Sequence, residues 1–313
     1  MICKEMSQFC SYVRSELQLK NFGCGDVHPA RFAYSQWRMP VGVYLAYRFI
    51  VAVYVSFWLI STAIDAPVIY FPDSNTQFSW ASFLTNWTYF VLALYLILHF
   101  FVCLFYCCKR RKQLCCLPDM DGHKQLFNEL WVTPSLWSGD YHPVDSVENS
   151  DNYYGRQEAT VLGTPSLPIL HKITWMLFTT VSSAALMVTL VFFVFLWPQM
   201  GTNSLDMANL QEHILNSVLV ILDHIISGIP IRIYHYIYPV LYGAAYTAFS
   251  AIYWAGDHNR VMYPKILDWN QPGHTALMLI LVAFVILPIL HMCFFVIYKV
   301  KLFVYHMLYQ DRL

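Results

Sequence analysis

Six stretches of the chain are apolar for long enough to read as membrane-crossing helices. They fall at roughly 41–62, 84–106, 173–197, 212–228, 237–255 and 275–298. A hydrocarbon core about 30 Å thick needs about 20 mostly apolar helical residues, and each stretch comes close to that length. The fourth is the shortest and carries Asn216, Ser217, Asp223 and His224. The pattern predicts an all-α fold, a polytopic transmembrane helical bundle of six spans with N- and C-termini cytosolic. Its parts are an N-terminal segment 1–40, two spans over 41–106, a cytosolic loop 107–172, four spans over 173–298, and a tail 299–313. No apolar run before residue 41 suits a cleavable signal peptide, so the first span reads as a signal anchor.

The basic residues fix the expected orientation, because Lys and Arg are retained on the cytosolic side. Lys4, Arg14, Lys20, Arg31 and Arg38 precede the first span. Lys109, Arg110, Arg111, Lys112, Lys124, Arg156 and Lys172 fall in 107–172, Arg232 lies between spans four and five, and Lys299, Lys301 and Arg312 follow the sixth. The segments 63–83 and 198–211 hold none, and only Arg260 and Lys265 fall in the remaining outer loop. An odd number of spans would break this alternation.

Composition agrees. Apolar residues make up 58% and charged residues 12%, against about 25% charged in a soluble domain. A net charge of zero gives no general case for nucleic-acid binding. Cysteines avoid the outer loops, so no structural disulfide is expected. Cys107, Cys108, Cys115 and Cys116 flank the basic run 109–112. Vicinal cysteines lack the spacing with which a loop wraps zinc, and nothing in the sequence points to a cofactor or metal. Lipidation of these four cysteines, with residues 109–112 against anionic lipid, is one reading; a plain stop-transfer cluster is the other. The sequon Asn86-Trp87-Thr88 abuts the second span and reads as a chance tripeptide.

Ionisable groups inside a span cost about 2.5–3.5 kcal/mol each on insertion scales. Arg48, His99, Asp223, His224 and His291 therefore form a candidate intramembrane polar cluster. At about 1.5 Å per residue, Arg48, His99 and His291 lie about 10 Å from the inner ends of their spans, and Asp223 about 8 Å. Matched depth makes Arg48 and Asp223 an expected ion pair, unless Arg48 snorkels to the interface. His213, Asn216, Ser217, Val220, Asp223, His224 and Ser227 recur at three-to-four-residue spacing and line one side of a helix.

SQWRMP (35–40), YLAYR (44–48), HILNSVLVILD (213–223), PIRIYHYIYP (230–239), AIYW (251–254) and VMYPKILDWNQPG (261–273) together resemble the rolling stone family of multi-pass membrane proteins. That resemblance implies a plasma-membrane protein, with the endoplasmic reticulum as the alternative, that supports cell–cell fusion of the myoblast type, or adhesion. The second half also resembles the androgen-induced family of intramembrane hydrolases, which cleave lipid esters. His213, Asp223, Tyr238-Pro239 and Tyr263-Pro264 stand in that family's order, which implies His213 as general base and a lipid-ester ligand. The family's nucleophilic threonine follows an aromatic-Leu pair; here Tyr44-Leu45 is followed by Ala46, which has no hydroxyl, so the nucleophile is unassigned. A transporter or lipid-binding bundle is a third reading, built on the polar cluster. Besides the lipid bilayer, no protein partner is legible.

Overall fold

A computed structural model describes residues 16–25, 27, 29–37, 39–65, 68–71, 76–115, 167–200 and 207–309. In chain order the main elements are α1 (Ala30–Ala33), α2 (Val41–Asp65), the hairpin β1 (Val68–Phe71) and β2 (Thr76–Ser79), and α3 (Leu84–Cys115). They continue with α4 (169–200), α5 (207–226), α6 (Ile237–Gly256) and α7 (272–309). The last group holds three π-turns: Phe192–Leu196 in α4, Leu210–Leu215 in α5 and Val282–Ile286 in α7.

Among the described residues, four helical stretches are long and apolar enough to cross a membrane: Val41–Asp65, Leu84–Lys109, Ile169–Leu196 and Pro272–Tyr305. α5 and α6, expected as the fourth and fifth spans, do not reach the same length and apolarity. α5 carries the polar stripe, and α6 is diluted by Tyr238, Pro239, Tyr242, Tyr246, Tyr253 and Trp254. The all-α expectation misses the hairpin, in which Val68 pairs with Ser79 and Phe71 with Thr76. It also misses the helical state of 107–115, because α3 runs on to Cys115. The run 109–112 falls within that helix.

α4 is the central post. Of its apolar window 61% is buried, against 22% for α2 and α7. Ser182, Ser183, Ala184 and Ala185 are all buried, and such small residues let neighbouring helices approach closely. Thr174, Thr179, Thr180 and Ser182 turn their hydroxyls onto carbonyls one turn back, at 2.8, 3.0, 2.8 and 2.5 Å, so burying them leaves no unsatisfied donor. The stripe of α5 is buried throughout, from His213 to Ser227, as its spacing implies.

At one end of the bundle the N-terminal segment forms a strap. Arg31 donates to Gly228 O at 3.2 Å and to Tyr298 OH at 2.9 Å. Gln36 N and Ser35 Oγ donate to Ile226 O at 2.9 and 2.8 Å, and Trp37 Nε1 to Ile225 O at 2.8 Å. Lys301 Nζ donates to His224 O and Ser227 O at 2.7 and 2.6 Å. Together these groups satisfy the carbonyls that α5 leaves open at its C-terminus. Arg232 holds Gly23 O and Gly25 O at 2.7 and 2.8 Å.

At the other end the hairpin and the segment 257–271 close the bundle around aromatic residues. Tyr263 OH accepts from Leu84 N at 3.0 Å, Tyr246 OH donates to Ser82 O at 2.8 Å, and Trp269 Nε1 donates to Ser250 Oγ at 3.0 Å. Thr275 Oγ1 donates to Asp268 O at 2.6 Å, while Pro272 opens α7 within its first turn, where a missing N–H is harmless. The sequon is built into this packing. Asn86 Nδ2 donates to Trp80 O at 2.6 Å, and Asn86 and Thr88 are both buried.

Candidate functional site

Arg48 Nη1 and Asp223 Oδ1 form an ion pair whose side chains are 0% and 4% exposed. α2 supplies Arg48 and α5 supplies Asp223, so the pair ties two helices across the core. Arg48 Nη2 also donates to Tyr44 OH at 2.6 Å, and its guanidinium lies 4.8 and 5.3 Å from the ring centroids of Tyr44 and Tyr47. Tyr95 OH donates to Asp223 Oδ2. Its oxygen also meets His99 Nδ1 at 2.8 Å, and His99 Nε2 donates to Phe32 O at 2.7 Å. The result is a continuous chain of polar contacts from the strap to the ion pair. Two opposite charges with this many partners tolerate burial that neither tolerates alone.

Arg48, His99 and Asp223 are thus brought together, with Tyr44 and Tyr95 as members that carried no charge signal in the sequence. His224 and His291 are not part of the network. Successive helical residues point about 100° apart, so His224 turns away from Asp223. Its Nε2 meets Ser182 Oγ at 2.6 Å, and its ring stacks between Phe178 and Phe294 at 4.2 and 4.1 Å. His291 Nε2 donates to Arg232 O at 2.9 Å, bracing the strap end.

His213 lies toward the hairpin end, in the π-turn of α5. Its ring stacks on Phe192 at 3.8 Å, and its carbonyl accepts from Thr189 Oγ1, which also meets Ser217 Oγ at 2.7 Å. His213 Nδ1 has no hydrogen-bond partner among the described residues. Ser61 and Thr62, hydroxyls at the hairpin end of α2, bond to Asp65 and to Leu59 O. The His213 ring lines a predominantly apolar cavity of about 420 Å³ between α4, α6 and α7. Thr85, Thr247, Tyr246 and Tyr263 place hydroxyl-bearing side chains on its other walls.

Cys107 and Cys108 stand on α3, half-buried and exposed, and neither is in a disulfide. Cys115 is the last residue of α3. Cys116 lies outside the described residues, as do most of the 107–172 segment and the side chains of residues 110–112.

His235, in the turn before α6, is fully buried with its ring 4.7 Å from that of Trp175. Burial, and then the neighbouring Arg232 guanidinium, hold its pKa down at about 3. The unfolded chain would titrate near 6.5. Between these values the unfolded state binds the extra proton, so stability is full above about pH 6.5 and falls as the pH drops toward 3. This group contributes a slope of up to about 1.4 kcal/mol per pH unit in that window. Melting temperatures of purified protein between pH 7.5 and 5 should fall more steeply for wild type than for His235→Phe.

Long apolar helices, a charge pair buried among them and an apolar cavity at the far end define an integral membrane protein of the multi-pass helical class. A family model described as Protein rolling stone matches residues 164–310. The chain is also 26% identical over 307 residues to Protein rolling stone of Drosophila melanogaster, covering 94% of this chain and 91% of that protein. The resemblance to the rolling stone family read from residues 35–273 is therefore borne out. No solved structure matches the chain.

Proposed function

We propose that the protein is a six-span membrane protein of the plasma membrane, both termini cytosolic, that supports cell–cell fusion of the myoblast type, or adhesion. The observation that carries this reading is the similarity to Protein rolling stone of Drosophila over almost the whole length of both chains. The short segments at the hairpin end, capped onto the bundle by Tyr263 and Thr275, support a facilitating role exerted from within the bilayer. A cell-mixing assay tests it: two populations carrying different cytosolic dyes are scored for double-labelled cells. Removing the protein should lower double labelling several-fold, and re-expression of the full chain should restore it. Unchanged mixing and unchanged cell–cell attachment in cells that normally express the protein would count against both.

A second reading is favoured by the cavity. His213 lines it, with the hydroxyl-bearing Thr85, Thr247, Tyr246 and Tyr263 on its other walls. In that reading the protein is an intramembrane lipid-ester hydrolase with His213 as general base. A hydroxyl-directed fluorophosphonate probe should then label wild type but not His213→Ala at equal folded yield. An unlabelled, well-folded wild type would remove this reading.

A further inference from the structure

The walls of the cavity share a feature that packing alone does not require. All three π-turns among the described residues contribute to them: Leu196 from the first, His213 from the second, Val282 and Ala283 from the third. A π-turn widens the helix by one residue and occurs disproportionately where a helix bends around something functional. Three on different helices, meeting at one space, form a wall shaped around an occupant.

The opposite wall is made by what is missing. On α6, Gly243, Ala244, Thr247, Ala248 and Ala251 face the cavity at helical spacing. A Cβ added at Gly243 meets no atom within 4 Å, so the space beside it is open. Ala244 and Ala248 line the cavity and are also exposed on the outside of the bundle. The cavity therefore opens sideways, part-way along α6, between small side chains.

A side opening at that depth of a membrane-embedded helix faces hydrocarbon rather than water. At about 420 Å³ the space is toward the small end of the roughly 300–1,000 Å³ usual for ligand sites. It suits one extended chain better than the body of a two-chain lipid. His213 places an imidazole at one end of a wall that is otherwise mostly apolar.

We propose that this cavity is a lipid site, which takes one acyl chain of a bilayer lipid entering sideways past Ala244 and Ala248, with its more polar end toward His213. This rests on the reading of the chain as membrane-embedded but not on fusion or hydrolysis. Occupancy replaces empty space by dispersion contacts along Val188, Val191 and Leu279, which a void cannot supply.

The test uses full-length protein in phosphatidylcholine vesicles holding a trace of phosphatidylcholine with a photoactivatable diazirine on one chain. A parallel arm uses diazirine-bearing palmitic acid. After illumination, cross-linked peptides are located by mass spectrometry. Adducts should concentrate on 240–251 and 279–287, and Gly243→Leu, which fills the space, should lower them at least tenfold. Adducts around Ile60, an exposed position on α2 away from the cavity, should not change. If Gly243→Leu folds poorly, Ala248→Leu at the mouth gives the same readout. Labelling by the first probe identifies a phospholipid lending one chain, and labelling by the second alone a free fatty acid. Adducts spread evenly over all lipid-facing helices, or insensitive to the filling variants, would overturn the proposal. Because fusion is scored in cells, the two failures are distinguishable.

Discussion

Replacing Asp223 by alanine is expected to abolish most folded protein, through a loss of about 3–5 kcal/mol. The substitution leaves the Arg48 guanidinium fully buried with its counter-charge gone, and Tyr95 without its acceptor. Arg48→Ala should be nearly as damaging, since it strands the carboxylate instead. The two losses will not add, because each removes the same pair. Replacing both partners by apolar residues of similar size, Arg48→Met with Asp223→Leu, should recover most of the stability, because no charge is then left in the core. The exchange Arg48→Asp with Asp223→Arg should recover part of it, limited by Tyr44 and Tyr95 being set for the original polarity. Monodisperse yield by size-exclusion chromatography and the detergent melting temperature read all four variants. Equal, additive losses in the singles and the double variant would show that the pair is not an energetic unit.

Trp175→Ala should cost about 3–5 kcal/mol as well, by the cavity it leaves. Trp175 is wholly buried at the strap end of α4. Its Nε1 donates to Pro230 O at 2.7 Å, Arg232 lies 5.0 Å over its ring, and Phe32 of the strap packs edge-on at 5.7 Å. One side chain thus joins the central helix, the turn before α6 and the N-terminal segment. Trp175→Phe keeps a ring under Arg232 but orphans the Pro230 carbonyl, so it should lose only about 1–3 kcal/mol. Proteolysis of the segment 16–37 should accelerate in Trp175→Ala and much less in Trp175→Phe. If the two variants melt together, the hydrogen bond rather than the packed ring dominates this junction.

The sequence exposed some of this design. Arg48 and Asp223 were legible because a lone charge in a span is costly, and matched depth left few partners. The polar face of α5 was legible because its three-to-four-residue spacing leaves one side polar. What escaped had no side-chain signature. The strap is held largely through the carbonyls of Gly23, Gly25, Ile225, Ile226 and Gly228, and every residue has a carbonyl. Tyr95 lies in a span rich in aromatic residues and is singled out only by the Asp223 and His99 that flank its hydroxyl. The cavity is formed by the smallness of Gly243, Ala244 and Ala248 opposite π-turns, and neither carries a motif. His224 was misplaced for a geometric reason: shared depth with Asp223 says nothing about the direction a side chain takes around the helix.

Every depth assigned to these residues depends on six crossings with both ends in the cytosol. The most direct test inserts a short epitope, one position at a time, at the N-terminus, after Asp73, after Asp140, after Tyr236 between α5 and α6, after Asn259 and at the C-terminus. Antibody binding is then compared on intact and permeabilised cells. Epitopes after Asp73 and Asn259 should be reached on intact cells, and those at both termini, after Asp140 and after Tyr236 only after permeabilisation, whereas four crossings would expose the one after Tyr236. Termini found on opposite faces would require an odd number of spans and contradict the account.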